Sequence, residues 1–378
     1  MRILITGGAG FIGQHLVRRL SKHHHVRVLD SLIPQVHGTS AQIPAGLGEV
    51  EFMLGDVRHR ADAEAAVADM DVVVHLAAQT GVGQSMYELY SYVDTNELGT
   101  ASLLQALVDS GHRPRKLVLA SSRAIYGEGL YLCRKCGEVT PHGRSAADLA
   151  VAQWDPCCPS CGGPIAAIPT HEAAQARPQS VYASAKLSQE HLCRIVGHAY
   201  GIAVVILRYF NVYGPGQSLG NPYTGILSAF YSRLSSGDNI EVFEDGLESR
   251  DFIYIDDVVD ATTRAIMGPS ETLQAGVYNV GSGVRVTLDE LAGKVVHVWG
   301  VAATIRHSGG YRVGDVRHVF ADTNRAAQEL GFRAAVPMDE GLSRWMHWAR
   351  QQDQQGAIDV AQQQLVQHNL YRRAGGRG

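Results

Sequence analysis

The sequence predicts an α/β protein built on a doubly wound parallel sheet, with a smaller C-terminal α/β region and a cysteine-bearing insert. Three observations predict it. Short β-branched runs alternate with longer helical patterns over the first two hundred residues. The runs are apolar throughout rather than alternating, as expected when both faces of a sheet are covered. The chain, 378 residues with 45% hydrophobic content, is long enough to bury one large core or two smaller ones.

The predicted strands are Ile3–Thr6, Val26–Asp30, Val50–Leu54, Val72–Leu76, Lys116–Ser121 and Val204–Arg208. Helical patterns cover Gly10–Ser21, Ala61–Asp69, Asp94–Ser110 and Val181–Tyr200. In Asp94–Ser110 the residues Leu98, Ala101, Leu104, Leu107 and Val108 fall on one face. Past Arg208 the alternation loosens. Asn211–Pro222 is rich in Gly, Pro and Asn and reads as loop, and Leu227–Ser236 reads as helix. Thr287 and Glu290 have capping-box spacing ahead of Leu291, Val295 and Val296. Asp322–Leu330 is a helix stopped by Gly331. The Gln-rich stretch Gln351–Gln363 is compatible with helix, and Arg372–Gly378 reads as a frayed end. The run His23–His25 lies at a predicted turn and reads as solvated loop.

Composition excludes several classes. Charged residues make up 19% and the net charge is −4, which argues against a basic nucleic-acid binder. No apolar run reaches the ~18 residues of a membrane span. A strand-like run, Arg2–Thr6, begins almost at once, so no secretory leader is expected and the protein is expected in the cytoplasm. Six cysteines there read as thiols or metal ligands before disulfides. Cys193, in a helical segment, reads as a small buried apolar residue.

The first strand runs into Thr6-Gly7-Gly8-Ala9-Gly10-Phe11-Ile12-Gly13, which opens a helix. Gly7 permits the turn, Gly10 lets backbone approach a pyrophosphate, and Gly13 lets helix pack on strand. The free N–H groups of the helix start, at Phe11 and Ile12, then face an anion. Asp30 ends the second strand, where a carboxylate accepts from a ribose 2′-hydroxyl and repels a 2′-phosphate. The pattern is that of a Rossmann-type fold binding NAD rather than NADP. Tyr182 and Lys186 stand at i and i+4 and share a helix face. A free phenol titrates near ~10, and a neighbouring ammonium lowers that value. The resulting phenolate takes a proton from a sugar hydroxyl while hydride leaves the same carbon. Ser122, at the end of the fifth strand, is placed to hydrogen-bond the reacting oxygen.

With these motifs the chain resembles the extended short-chain dehydrogenase/reductase family, of the nucleotide-sugar epimerase and dehydratase type. The resemblance covers roughly residues 1–350, apart from an insert. It rests also on Leu54-Gly55-Asp56-Val57, His75-Leu76-Ala77-Ala78-Gln79, Asn96, the Leu207–Pro215 segment, Arg250-Asp251-Phe252-Ile253-Tyr254 and Arg312-Val313-Gly314-Asp315. It implies that Ser31, Asp56, Val57, Leu76, Ala77, Ala78, Gln79, Asn96, Ser121 and Phe210 join Tyr182 and Lys186 around NAD. It implies that Thr80, Ser85, Ser122, Asn211, Arg250 and Arg312 meet a nucleoside-diphosphate sugar, with Phe243 near the base. Guanidinium forks suit phosphate oxygens. The expected organisation is an NAD-binding domain at 1–207, interrupted by an insert at 128–176, a nucleotide-sugar region at 208–350, and a tail at 351–378. The resemblance also implies a homodimer formed through the helices around Asp94–Ser110 and Val181–Tyr200.

Related 4,6-dehydratases carry an Asp-Glu pair directly after the Ser/Thr position, and the sugar-acid decarboxylases usually keep the Glu. Here those positions are Arg123 and Ala124. The site can oxidise and re-reduce one carbon but lacks the added acid and base there, which points to a 4-epimerase. A net reductase or dehydratase on the same substrates, an epimerase of UDP-hexoses or UDP-hexuronates, and a non-catalytic NAD-sensing protein are the alternatives.

Fifty-five residues separate Tyr126 from Tyr182, a long connection. Inside it lie Cys133-Arg134-Lys135-Cys136-Gly137 and Cys158-Pro159-Ser160-Cys161-Gly162. Two C-x-x-C pairs, each followed by Gly, have zinc-knuckle spacing, so Cys133, Cys136, Cys158 and Cys161 are expected to hold a structural Zn²⁺. Cys157 is the alternative to Cys158. An insert of this kind ahead of Arg177-Pro178-Gln179-Ser180-Val181-Tyr182 resembles the bacterial dTDP-L-rhamnose 4-epimerases, which interconvert dTDP-L-rhamnose and dTDP-6-deoxy-L-talose.

Overall fold

The structure, a computed structural model, describes residues 1–38, 42–47, 50–221, 225–269, 276–352 and 358–375. Its centre is a seven-stranded sheet. The strands β1 (Arg2–Thr6), β2 (His25–Asp30), β3 (Glu51–Leu54), β4 (Val72–His75) and β5 (Lys116–Ser122) are joined by Ala203–Tyr209 and Val277–Val280. From one edge the order is Val277–Val280, Ala203–Tyr209, β5, β4, β1, β2, β3. Every neighbouring pair in it is parallel. The order reverses at β1, where the chain crosses from one half of the sheet to the other. In such sheets this switch point opens a crevice at the carboxyl ends of the strands.

The all-apolar strands have the expected physical cause. Successive side chains point to opposite faces, and both faces are buried. Ile3 and Ile5 enter one core together with Val28, Val74, Val118 and Val205. Leu4 enters the other with Leu29, Val73, Leu117, Leu119 and Ile206. Helices Phe11–Leu20 and Ile255–Met267 pack on each other over the first face. Helices Arg60–Val67, Gly99–Asp109 and Val181–Tyr200 cover the second. The strand Val277–Val280 comes from beyond residue 207, so the central sheet is not confined to the N-terminal portion. Its residues Tyr278 and Val280 are fully buried, and it pairs in register with Ile206–Tyr209.

The region past Arg208 is made of short pieces. Helices Ile226–Ser235, Leu288–Trp299 and Met338–Ala349 surround the pair Ile240–Val242 and Ile305–His307. Thr287 and Glu290 form the reciprocal capping box that their spacing predicts. Trp345, wholly buried, anchors the last of these helices against Tyr231. Inside the long connection, Gly137–Val139, Tyr131–Cys133 and Ile165–Ala167 form an antiparallel three-stranded sheet in that order. The C-terminal part is more ordered than its composition suggests. A helix covers Ile358–Gln367, and Tyr371–Arg373 forms a strand antiparallel to Gly310–Arg312. Pro222, residues 353–357 of the Gln-rich stretch and residues 376–378 of the end lie outside the described residues. Among the described residues, no helix is long and apolar enough to cross a membrane.

Candidate active site

The carboxyl ends of β1, β2, β4 and β5 open onto one cavity of about 880 Å³. The turn after β1 forms its floor. Gly7 has φ +71, and a Cβ there would sit 2.7 Å from the Ala77 backbone nitrogen. A Cβ on Gly13 would sit 2.5 Å from the Gly7 carbonyl. Both positions exclude any side chain, so backbone and helix start come close to the cavity. Gly10, Phe11 and Ile12 line the same wall. Asp30 reaches it from β2. Its Oδ2 accepts from the Ala9 amide at 2.9 Å and its Oδ1 from the Leu32 amide at 2.9 Å. That leaves carboxylate lone pairs on the cavity side, beside Ser31.

Asp56 and Val57 line the next stretch, with Arg58 paired to Asp56 at 2.7 Å and to Asp94 at 2.7 Å. Burial alone would raise the Asp56 carboxyl, but the hydrogen bonds and charge of Arg58 outweigh it and hold it below the usual range. Leu76, Ala77, Ala78, Gln79 and Thr80 follow β4 along the wall. Asn96 is fully buried behind them, in the widened helical turn Val93–Leu98. It pins both backbone groups of Gln79, accepting from its amide at 2.8 Å and donating to its carbonyl at 3.1 Å. Asn96 therefore shapes the wall without forming part of it.

The opposite wall carries the side chains that the sequence marks as candidate catalytic groups. Ser121 and Ser122 end β5, and Tyr182 and Lys186 project from the first turns of the helix Val181–Tyr200. That helix starts there because Ser180 Oγ accepts from the Ala183 amide at 3.1 Å. Tyr182 hydrogen-bonds Ser122. Lys186 is buried and donates to the Ala120 carbonyl at 2.9 Å; burial lowers its ammonium to about 8. Burial raises the Tyr182 phenol, while the Ser122 hydrogen bond and the Arg123 charge pull it down. The sequence leads one to expect Lys186 as the cation that acts on the phenol. Arg123 is a second cation whose charge favours the phenolate. Arg123 is half-buried on the cavity wall, with Arg250 and Asp315 in electrostatic range.

Ser121, on the same wall, donates its Oγ hydrogen to Glu190 at 2.5 Å. Glu190 is also clamped by Arg208 through two bonds of 2.9 and 2.7 Å. Glu190 stands four residues after Lys186, so the same helical spacing that marks Tyr182 and Lys186 would have found it.

The substrate-side residues separate into two groups. Thr80, Ser122, Asn211 and Arg312 line the cavity, as does Phe210 of the cofactor set. Ser85, Arg250 and Phe243 do not. Ser85 is fully buried and donates to the Val82 carbonyl at 2.6 Å, closing its own turn. Arg250 is turned inward, with Nη1 on the Ser249 and Arg317 carbonyls and Nη2 on the Val316 carbonyl and Asp315. Its donors hold the strand that follows Asp315. Phe243 lies outside the cavity under Arg312, whose guanidinium carbon is 4.7 Å from the ring centre. The loop Gly216–Leu219 and Trp348 complete the wall and carry no motif by which the sequence marks them.

In the insert, the sheet brings both C-x-x-C turns to one end. The sulfurs of Cys133, Cys136, Cys158 and Cys161 all lie within 4.8 Å of one another, with Cys133 and Cys161 3.6 Å apart. Cys157 is outside this group, 3.7 Å from the Gln153 amide nitrogen.

Known proteins are similar to this chain in sequence and in fold. The chain is 36% identical over 356 residues to a dTDP-L-rhamnose 4-epimerase from Burkholderia thailandensis, covering 93% of this chain and 95% of that protein. A UDP-glucuronic acid 4-epimerase from Bacillus cereus, solved with UDP-glucuronic acid and NAD, superposes with a TM-score of 0.76 at 27% identity. The match covers 93% of this chain and 99% of that one. A UDP-glucose 4-epimerase from Thermus thermophilus, solved with NAD, gives a TM-score of 0.72 at 28% identity, covering 93% and 100%. Residues 3–146 and 159–281 match the NAD dependent epimerase/dehydratase family. With that span matched and the strand order, glycine turn and tyrosine–lysine wall in place, the chain belongs to the NAD dependent epimerase/dehydratase family.

Proposed function

We propose that the protein is an NAD-dependent nucleotide-sugar 4-epimerase acting on a dTDP-6-deoxyhexose such as dTDP-L-rhamnose. One observation carries the reading. Ser122, Tyr182 and Lys186 face the glycine turn and Asp30 across one cavity, and Arg123 and Ala124 occupy the positions where a dehydratase keeps its acids. The residues present fit NAD. The side-chain-free turn at Gly7 and Gly13 suits a pyrophosphate, and the Asp30 oxygens suit a ribose diol. The 36%-identical relative supports the choice of sugar.

Bound NAD would supply the hydride acceptor and donor for oxidation and re-reduction at the sugar C4. Ionised Tyr182 takes the C4 hydroxyl proton as that carbon is oxidised and gives it back on re-reduction. Ser122 donates to the same oxygen. Arg312 and Asn211 hold the diphosphate end, so the 4-keto sugar turns while tethered. Incubation with dTDP-L-rhamnose and no added NADH should yield the C4 epimer, read by NMR. Tyr182→Phe should lower kcat by roughly 10²–10⁴-fold and leave NAD bound. Stoichiometric NADH consumption by the wild type, or full turnover by that variant, would overturn the assignment.

The same reading includes a structural Zn²⁺ on Cys133, Cys136, Cys158 and Cys161. Tetrahedral zinc at ~2.3 Å from sulfur sets sulfurs about 3.8 Å apart, and the cluster spacing suits that. Four sulfur ligands leave no open position, so the ion would fold the insert and take no part in catalysis. The enzyme works as a cytoplasmic homodimer, the compartment in which six unpaired thiols persist. Leu98 and Ile195, exposed at 57% and 66% on neighbouring helices, support the contact between copies.

A further inference from the structure

Among the described residues, the C-terminal strand is an ordered element near the substrate-side wall that neither the sequence motifs nor the proposed chemistry uses. It lies directly beside Arg312. Tyr371 is the cross-strand partner of Arg312, with Tyr311 opposite Arg372 and Gly310 opposite Arg373. The pairing continues outward, with the Val313 amide on the Leu370 carbonyl at 2.9 Å and the Ala374 amide on the Gly309 carbonyl at 3.0 Å.

The side chains form a three-part stack. Tyr371 packs on Phe243 with ring centres 5.2 Å apart, and Arg312 lies over the same Phe243 ring at 4.7 Å. Gly310 makes the seat. Its φ is ordinary, but any Cβ there would collide with the Tyr371 ring. The position is glycine for space, not for backbone freedom. The segment before the strand is held too. Tyr87 Oη donates to Gln364 at 2.9 Å, and the Tyr87 ring stacks on His368 at 4.5 Å, nearly parallel.

We propose that Tyr371 is a positioning residue for substrate binding: it backs Phe243, which in turn fixes the Arg312 guanidinium at the cavity wall to receive the diphosphate of a nucleoside-diphosphate ligand. An exposed arginine side chain loses rotamer freedom when it binds an anion, and an aromatic face beneath it removes part of that loss beforehand. Among the described residues, the phenol oxygen of Tyr371 has no hydrogen-bond partner. The ring, not the hydroxyl, therefore carries the role. The inference rests on the substrate-side reading of Arg312 given above.

The test is calorimetric binding of dTDP and UDP to the NAD-loaded enzyme, with steady-state kinetics on the nucleotide sugar. Tyr371→Ala should weaken nucleoside-diphosphate binding about tenfold and raise KM by a like factor, with kcat within about twofold of wild type. Tyr371→Phe should restore both values. Gly310→Ala, which pushes the ring off its seat, should reproduce the loss with the tyrosine still present. Bound NAD and melting temperature serve as controls on the fold. Wild-type affinity in Tyr371→Ala and Gly310→Ala, or failure of Tyr371→Phe to rescue, would overturn this inference alone. A wild-type enzyme that binds neither dTDP nor UDP would overturn both it and the reading on which it rests.

Discussion

Tyr182 sits in a pocket that by itself works against its ionisation, because burial penalises the phenolate. Two neighbours oppose that penalty, the Ser122 hydrogen bond and the Arg123 guanidinium. Arg123 is thus placed to set the pH range of proton transfer. Removing its charge disfavours the phenolate, so the phenol ionises at higher pH. Arg123→Gln should shift the rising limb of kcat to higher pH while leaving the alkaline plateau little changed. A limb at the wild-type position would show that Arg123 does not act on the phenol. The residues Ser122, Tyr182 and Lys186 were legible from type and spacing. The partner of Lys186 was not, because the Ala120 carbonyl comes from a strand sixty-six residues earlier. The same holds for Arg250: an arginine in a motif reads as a phosphate ligand, and only the fold shows its Nη groups meeting the carbonyls of Ser249, Val316 and Arg317.

Among the elements, the insert depends most on something beyond its own packing. Its strands are three residues each, too short for independent stability. It docks through charge as well. Arg144 pairs with Glu244 at 2.7 Å, and Asp155 meets Arg317 at 2.8 Å. A metal at the four thiols would supply the missing local stability. Chelation should therefore release about one zinc per chain and abolish amide-exchange protection across residues 131–167, while β1, β4 and β5 remain protected. A protein purified without zinc, or unchanged protection after chelation, would remove the metal from the account. The cysteine spacing alone announced the cluster. The antiparallel pairing of Cys133 with Gly137 and Ile165 decided which thiols meet, and it left Cys157 out.

On the scale of the whole molecule, the proposed dimer joins two copies through the helices around Asp94–Ser110 and Val181–Tyr200. Leu89, Tyr90, Leu98 and Ile195 are at least half exposed there. Apolar area of this kind gains on association through burial. Light scattering should give twice the chain mass, and the pair Leu98→Asp with Ile195→Asp should give a monomer that still binds NAD. A monomeric wild type at working concentration would rule the arrangement out.

By itself the sequence determined the parallel core, the glycine turn and the candidate trio Ser122, Tyr182 and Lys186, because each is a local pattern of residue type and period: apolar runs, a Gly triplet after a strand, and i to i+4 on one helix. Only the tertiary structure decided that Val277–Val280 completes the sheet, that Asn96 supports Gln79 from behind, and that Tyr371 comes to rest beside Arg312. These depend on contacts between segments far apart in the chain. A short strand with two buried faces, or a tail rich in glutamine, carries no periodic signal of its own; its place is set by which neighbour offers free backbone hydrogen bonds and an apolar seat.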